Sequence, residues 1–249
     1  MLRLVEDRHW WHSVLRGLVL DALSNDLPPR GHVLDAGCGT GGMLALLREK
    51  QPFLDTDGVD ASGLAVKHCR QRGFSNVRVG NVHDLPFQTG AFDAVMCLDV
   101  LYHADVDEDE ALAEMSRVLR PGGLLVANVP AFDCLRGAHD VAVCGARRYT
   151  AETVSRLLGK HGLCCEVIHY WNAWLFLPLL VWRWLSRRPV ERRSALTSDL
   201  ALPPVWLNHL LSVGGRMDAK LCRALRIPFG SSVFAVARKE HAQPGGTAA

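Results

Sequence analysis

Val33-Leu34-Asp35-Ala36-Gly37-Cys38-Gly39-Thr40-Gly41-Gly42 is the stretch on which the fold turns. A short apolar run ends in an acidic residue, glycines crowd the next positions, and a helical pattern follows at 43–50. Strand, glycine turn and helix in that order bring bare backbone to the carboxyl edge of a sheet, where open α/β folds hold their ligands. Gly37, Gly39 and Gly42 also satisfy GxGxxG, so this stretch alone is equally compatible with a dinucleotide.

Further apolar, β-branched runs lie at 32–35, 57–60, 77–80, 92–98, 124–129 and 164–170, and helical patterns fill 43–50, 64–72, 108–119 and 151–161. The alternation predicts βαβ units forming a parallel sheet covered by helices. A last strand-like run, 232–238, stands apart from the others. Before it come 171–226, rich in Trp, Leu, Pro and Arg, which read as two or three helices. The expected organisation is a helical cap at 1–30, a core at 31–170, a helical insertion at 171–226, a return to the core at 227–240 and a disordered tail at 241–249.

The 249 residues carry a net charge of +2, which argues against nucleic acid as the partner. The distribution is uneven. Residues 171–249 hold 11 Lys/Arg against 4 Asp/Glu, whereas 1–170 hold 17 against 22. The eight cysteines form no CxxC pair and no Cys/His cluster with zinc spacing, so no metal site is expected. Free thiols and the absence of a signal-peptide apolar core in the first 25 residues fit a cytoplasmic protein.

Four more features narrow the choice. Asp60 ends the next strand in Gly58-Val59-Asp60, and Gly80-Asn81-Val82-His83-Asp84-Leu85-Pro86-Phe87 follows the third. The fourth strand reads Ala91-Phe92-Asp93-Ala94-Val95-Met96-Cys97-Leu98-Asp99-Val100-Leu101-Tyr102-His103, and a helix closes in Arg117-Val118-Leu119-Arg120-Pro121-Gly122-Gly123. In order and spacing, from about 33 to 129, the chain resembles the class I S-adenosylmethionine (SAM)-dependent methyltransferases of the type 11/12 group. Their signatures are DxGxGxG, a "DLPF" loop, "FDxVxxxxVLxH" and "LxPGG". The resemblance implies a Rossmann-like α/β fold, a seven-stranded sheet with its last strand antiparallel and inserted between strands five and six, a role that 232–238 fits. It implies SAM as cofactor, with Asp35, Gly37, Gly39 and Gly41 at the methionine end and Asp60 with Ala61 at the ribose. Asn81 and Val82 then meet the adenine, and Leu98 lines the sulfonium side. Asn81 departs from the family's usual Asp and brings no charge to that contact.

The residues leave the acceptor open. Methyl transfer from SAM demands alignment and exclusion of water, and a hydroxyl acceptor also profits from a base. The loop 130–149 is long for a connection, and its His139-Asp140 pair offers a candidate base with its orienting carboxylate. The competing reading is a pair that fastens the loop. The resembling subgroup carries a second His where this chain has Gly145. Tyr102, His103, Tyr149, Trp174, Phe176 and Trp182 are candidates to line the acceptor pocket, His103 being also readable as a cap before the acidic helix start at 105–110. The N-terminal Glu6…Trp10-Trp11…Arg16 resembles a helix that lies across the cofactor in this subgroup, or packs aromatics on the sheet edge.

The segment 171–185, followed by Arg187, Arg188, Arg192 and Arg193, is too short to span a bilayer. It suits a lid over an apolar acceptor, a packed helix, a dimer contact, or a peripheral membrane contact through 171–193. The expected function is methylation, by preference at oxygen, of a small, apolar or lipid-like acceptor. The alternatives are a catalytically silent SAM-binding partner protein and a NAD-dependent oxidoreductase.

Overall fold

The structure, a computed structural model, describes residues 6–24, 26–185 and 202–241. The tail 242–249 and the arginines at 187, 188, 192 and 193 lie outside the described residues. Helix α1 (Trp10–Ser24) precedes β1 (His32–Ala36), α2 (Gly42–Lys50), β2 (Asp55–Asp60), α3 (Gly63–Gln71) and β3 (Val77–Val79). Then come β4 (Phe92–Leu98), α4 (Glu108–Val118), β5 (Leu119–Pro130), α5 (Ala138–Ala142), α6 (Ala151–Lys160) and β6 (Leu163–Trp171). Two helices, α7 (Ala173–Leu185) and α8 (Val205–Leu225), intervene before β7 (Ser232–Lys239).

The strands form one sheet in the order β3-β2-β1-β4-β5-β7-β6. All pairs are parallel except those of β7, which runs antiparallel to both β5 and β6. The doubly wound fold implied by the sequence is therefore present, with its antiparallel strand in the expected slot. Strand β4 lies at the centre and is buried from Phe92 to Cys97, which explains its unbroken apolar run: helices cover both faces of a parallel sheet. On one face lie α4 and α6, with Phe92, Leu112, Met115 and Leu158. On the other lie α1 and part of α8, with Val14, Val19, Leu23, Met96 and Ala219. Helix α1 owes its place to one apolar stripe, Trp10, Val14, Leu15, Val19 and Leu23, each contributing about 1.5–3 kcal/mol by leaving water.

Two local readings need correction. Strand β5 begins at Leu119, five residues earlier than its apolar run. Leu119 already pairs with Phe92, and the Pro121-Gly122-Gly123 turn is absorbed as an irregularity in the ladder. The cap of α4 is Asp107, not His103. The Asp107 carboxylate accepts the N–H groups of Asp109 and Glu110, at 3.0 Å each, ahead of three acidic residues that suit the helix dipole.

Strand order reverses between β1 and β4, and the crevice outside their carboxyl ends is the ligand position of this architecture. Because β7 runs the other way, its first residue, Ser232, reaches the same rim as Pro130 and Trp171.

Candidate active site

Between β1 and α2 the glycine loop is tied to β2: Gly37 and Cys38 donate their N–H groups to the Val59 carbonyl at 2.7 and 3.0 Å. Gly37 has φ 92°, and a Cβ there would run into Val100. Gly39 also lies at positive φ, yet nothing comes closer to its missing Cβ than Glu6 at 3.9 Å, so the space above it is open. Asp60 fastens the loop from β2. One carboxylate oxygen accepts Gly39 N–H at 2.9 Å and the other accepts Ser62 N–H at 2.8 Å. Ala61 is exposed between them, and Ser62 caps α3.

Asp35, at the end of β1, is 2% exposed. Among the described residues its side chain takes no hydrogen bond. Burial first, then the Glu6 and Asp60 carboxylates, push its pKa up to about 8 against the opposing charge of Arg16. A buried carboxyl among other carboxylates is a seat for a cation. Beside it the N-terminus of α2 already holds an anion. Glu6 accepts Gly42 N–H at 2.9 Å, binds the Thr40 hydroxyl with its other oxygen, and lies 3.6 Å from Arg16. The N-terminal segment does cross the glycine loop, through Glu6 and Arg16, while its two tryptophans pack elsewhere.

On the far side of Asp60, Val82 is buried and Asn81 exposed. The Asn81 amide oxygen accepts His83 N–H at 3.1 Å, closing a tight turn, which leaves the amide N–H groups pointing to ligand or solvent. Leu98 is half-buried at the end of β4. The next residue is one the sequence did not single out. Asp99 has φ 57°, unusual for a residue with a side chain, and strain of that kind concentrates at functional sites. Its carboxyl accepts a hydrogen bond from Asn128 at 2.9 Å, and its N–H donates to the Asn128 carbonyl at 2.9 Å. Asn128 in turn accepts the Trp171 indole N–H at 2.9 Å. Both Asn128 and Trp171 are fully buried. Burial raises the Asp99 pKa to about 7, with the Asn128 hydrogen bond pulling the other way. Asn172, next along, is also fully buried and at positive φ, and its side-chain amide has no hydrogen-bond partner.

Aromatic rings gather beyond this rim. Trp11 stacks on Trp171 at 5.3 Å, and Trp10 meets Trp174 edge-on at 6.0 Å. Phe176 meets Phe132, just past β5, at 5.5 Å. Helix α7 therefore sits over the carboxyl end of β5. Trp174 is partly exposed, whereas Trp182 is 63% exposed and turned to the outside. Tyr102 stacks on His103 at 4.4 Å and covers Gly145, where a Cβ would lie 3.0 Å from its ring. A histidine at 145 would compete with Tyr102 for that space.

Tyr149 is drawn into the core, its hydroxyl 2.6 Å from Glu108 Oε2 and 3.0 Å from the Leu101 carbonyl. Asp140 is likewise committed. Its carboxylate accepts from Arg148 at 2.8 and 3.2 Å and from Gly137 N–H at 2.7 Å. Burial alone would raise its pKa, but these hydrogen bonds outweigh it and hold the carboxyl below its ordinary range. The side chain of His139 lies outside the described residues. Among those described, no group of three or more His, Cys, Asp or Glu is arranged to hold a metal ion.

A doubly wound sheet with an open glycine loop, an acid at the end of β1 and another at the end of β2 defines a Rossmann-like cofactor-binding protein. The comparison with known proteins narrows that class. Residues 34–127 match the family described as a methyltransferase domain. An uncharacterized 37.1 kDa protein in transposon TN4556 of Streptomyces fradiae is 36% identical over 149 residues, 57% of this chain and 42% of that protein. The ubiquinone biosynthesis O-methyltransferase of Xanthomonas oryzae is 33% identical over 168 residues, 61% of this chain and 65% of that protein. This chain thus spans less than half the length of the first relative and under two thirds of the second. Among solved structures, a geranyl diphosphate methyltransferase in complex with SAM superposes with a TM-score of 0.60 at 20% identity, covering 93% of this chain and 86% of that one. Over residues 34–127 this chain is similar to methyltransferase domains, and a solved neighbour of the same fold is in complex with SAM.

The residues fit that molecule: the buried Asp35 carboxyl for its ammonium, and Asp60 near the open loop. Asp60→Ala removes the anchor of Gly39 N–H along with any ligand contact. It is expected to weaken SAM by about 2–3 kcal/mol, read by calorimetric titration.

Proposed function

We propose that this chain transfers the methyl group of SAM to an oxygen of a small, apolar acceptor. The single observation that carries this reading is Asp99, a carboxyl with its pKa raised to about 7, held by Asn128 at the rim beyond Leu98 and next to an aromatic cluster. Bound SAM supplies the methyl group, already activated on its cationic sulfur. Asp35 holds the ammonium, Gly37, Gly39 and Gly41 border the methionine end, Asp60 with Ala61 meets the ribose, and Asn81 and Val82 border the adenine. Leu98 closes the sulfur side. A neutral hydroxyl is a poor nucleophile, and Asp99 is poised to accept its proton as the methyl bond forms. His139 is the second candidate for that task. Trp174, Phe176, Tyr102 and His103 supply apolar and aromatic walls that exclude water.

The names of relatives support oxygen as the target without fixing the acceptor. One is an O-methyltransferase of ubiquinone biosynthesis, another the O-methyltransferase resE of Aspergillus sclerotiorum, and others are tRNA methyltransferases. The test is transfer of radiolabelled methyl from SAM to a panel of hydroxylated aromatic and isoprenoid compounds, with tRNA as a separate arm. Labelling of an apolar hydroxyl compound supports the proposal. Labelling of tRNA alone overturns it, and binding of SAM without transfer to any arm favours a silent partner subunit.

A further inference from the structure

Helix α8 presents two faces. Ser212, Gly215, Ala219 and Cys222 are buried, and Asn208 ties the helix to the start of α1 by accepting Trp10 N–H at 2.9 Å. The opposite face should be polar on a water-exposed helix, since surface helices keep apolar residues to one stripe. Instead, at steps of three and four residues, it carries Trp206, Leu210, Val213, Met217 and Leu221, all exposed, with Trp206, Met217 and Leu210 at 69, 67 and 60%. His209, Arg216, Lys220 and Arg223 are exposed along one flank of this stripe. The only acid on the helix, Asp218, faces away from it and caps α7 by accepting the N–H groups of Ala173 and Trp174. Helix α7 repeats the pattern, with Leu177, Val181 and Trp184 exposed at the same steps.

We propose that the outward faces of α8 and α7 dock on an anionic lipid bilayer. The charge decides the occupant. An apolar stripe with large aromatics, bordered by cations and free of carboxylates, matches the interface of an acidic membrane, where rings enter the headgroup level and cations meet phosphates. A second copy of the chain would set those cations against themselves or against an apolar face. The contact is peripheral: no helix among the described residues is long and apolar enough to cross a membrane. The proposal is independent of which atom is methylated, although it fits an apolar acceptor delivered from the bilayer.

The test is flotation of the full chain with phosphatidylcholine vesicles, with and without phosphatidylglycerol. The protein should float with the anionic vesicles only, and raising the salt toward 1 M, where charges are screened beyond about 3 Å, should release it. The joint variant Arg216→Gln, Lys220→Gln and Arg223→Gln should bind about a hundredfold more weakly, each cation near the surface contributing about a fivefold factor. The variant Trp206→Ser, Leu210→Ser and Met217→Ser should also lose the vesicles, while keeping its thermal transition and its SAM affinity because these side chains face outward. Absence of flotation of the unaltered protein overturns the proposal. So does a serine variant that still floats, or a dimer of the unaltered protein that the serine variant breaks apart, which would assign the face to a second copy.

Discussion

Asp99→Asn is expected to lower methyl transfer by about 10²- to 10⁴-fold, with SAM affinity nearly unchanged. The substitution is close to isosteric and its amide oxygen can still accept from Asn128, so the Trp171–Asn128 arrangement survives while the proton acceptor is lost. The pH profile gives an independent reading. Only the ionised carboxylate can act as a base, so turnover of the unaltered enzyme should rise with pH and level off near or below 7. The sulfonium beside it favours the ionised form and pulls the inflection down. The asparagine variant should lack that limb. If it retains turnover within a few-fold, Asp99 is not the base. A comparable loss in His139→Ala would then move the role to the loop histidine, and no loss in either would leave alignment as the whole mechanism.

The second large effect concerns Asp35. Its pKa of about 8 in the free protein leaves it mostly protonated at pH 7, yet it must be ionised to hold an ammonium. Binding SAM should therefore release close to one proton at pH 7. Affinity should climb by about tenfold per pH unit below 8, the slope of a single linked ionisation. The sign for stability is opposite. Between the unfolded value near 3.8 and the folded value near 8, the native state binds more protons than the unfolded chain, so the free protein loses stability as pH rises through that window. Asp99 adds to the same trend between about 4 and 7. The melting temperature of the free protein should fall from pH 5 to 8, and the gain on adding SAM should be larger at pH 8. Asp35→Asn should flatten the first trend and abolish the proton release, at the cost of much SAM affinity. Proton uptake or release that is the same in the variant as in the unaltered protein would remove Asp35 from the cofactor's seat.

What could be read from the chain itself was local. Strand, glycine turn and helix occupy ten consecutive residues, and Asp60 follows one βα unit later, so periodicity alone locates the loop. The last strand was legible because a long insertion separates it from an otherwise regular alternation. Asp99 was missed because it sits at the end of an apolar run in which it looks like a strand terminus. Its partner Asn128 lies on β5, and only the β5-β7-β6 order brings Trp171, at the end of β6, alongside Asn128. Asp140 was open between two readings, an orienting carboxylate and a loop fastener. Its neighbour in sequence suggested a His–Asp pair, whereas loop geometry hands its carboxylate to Arg148, eight residues on. Tyr149 was a candidate pocket residue, yet its hydroxyl finds Glu108 and turns it inward. The apolar steps 206, 210, 213, 217 and 221 were present in the sequence. Only the structure shows that the small residues at 212, 215, 219 and 222 face the core and leave these apolar residues outside.

Calorimetric titration with SAM, with its demethylated product and with NAD bears most directly on the claim that this glycine loop serves methyl transfer. The expected result is one SAM per chain, comparable binding of the product, weaker SAM binding in Asp60→Ala, and no heat with NAD. Saturable binding of NAD with none of SAM would contradict it, as would a SAM affinity indifferent to both Asp35→Asn and Asp60→Ala.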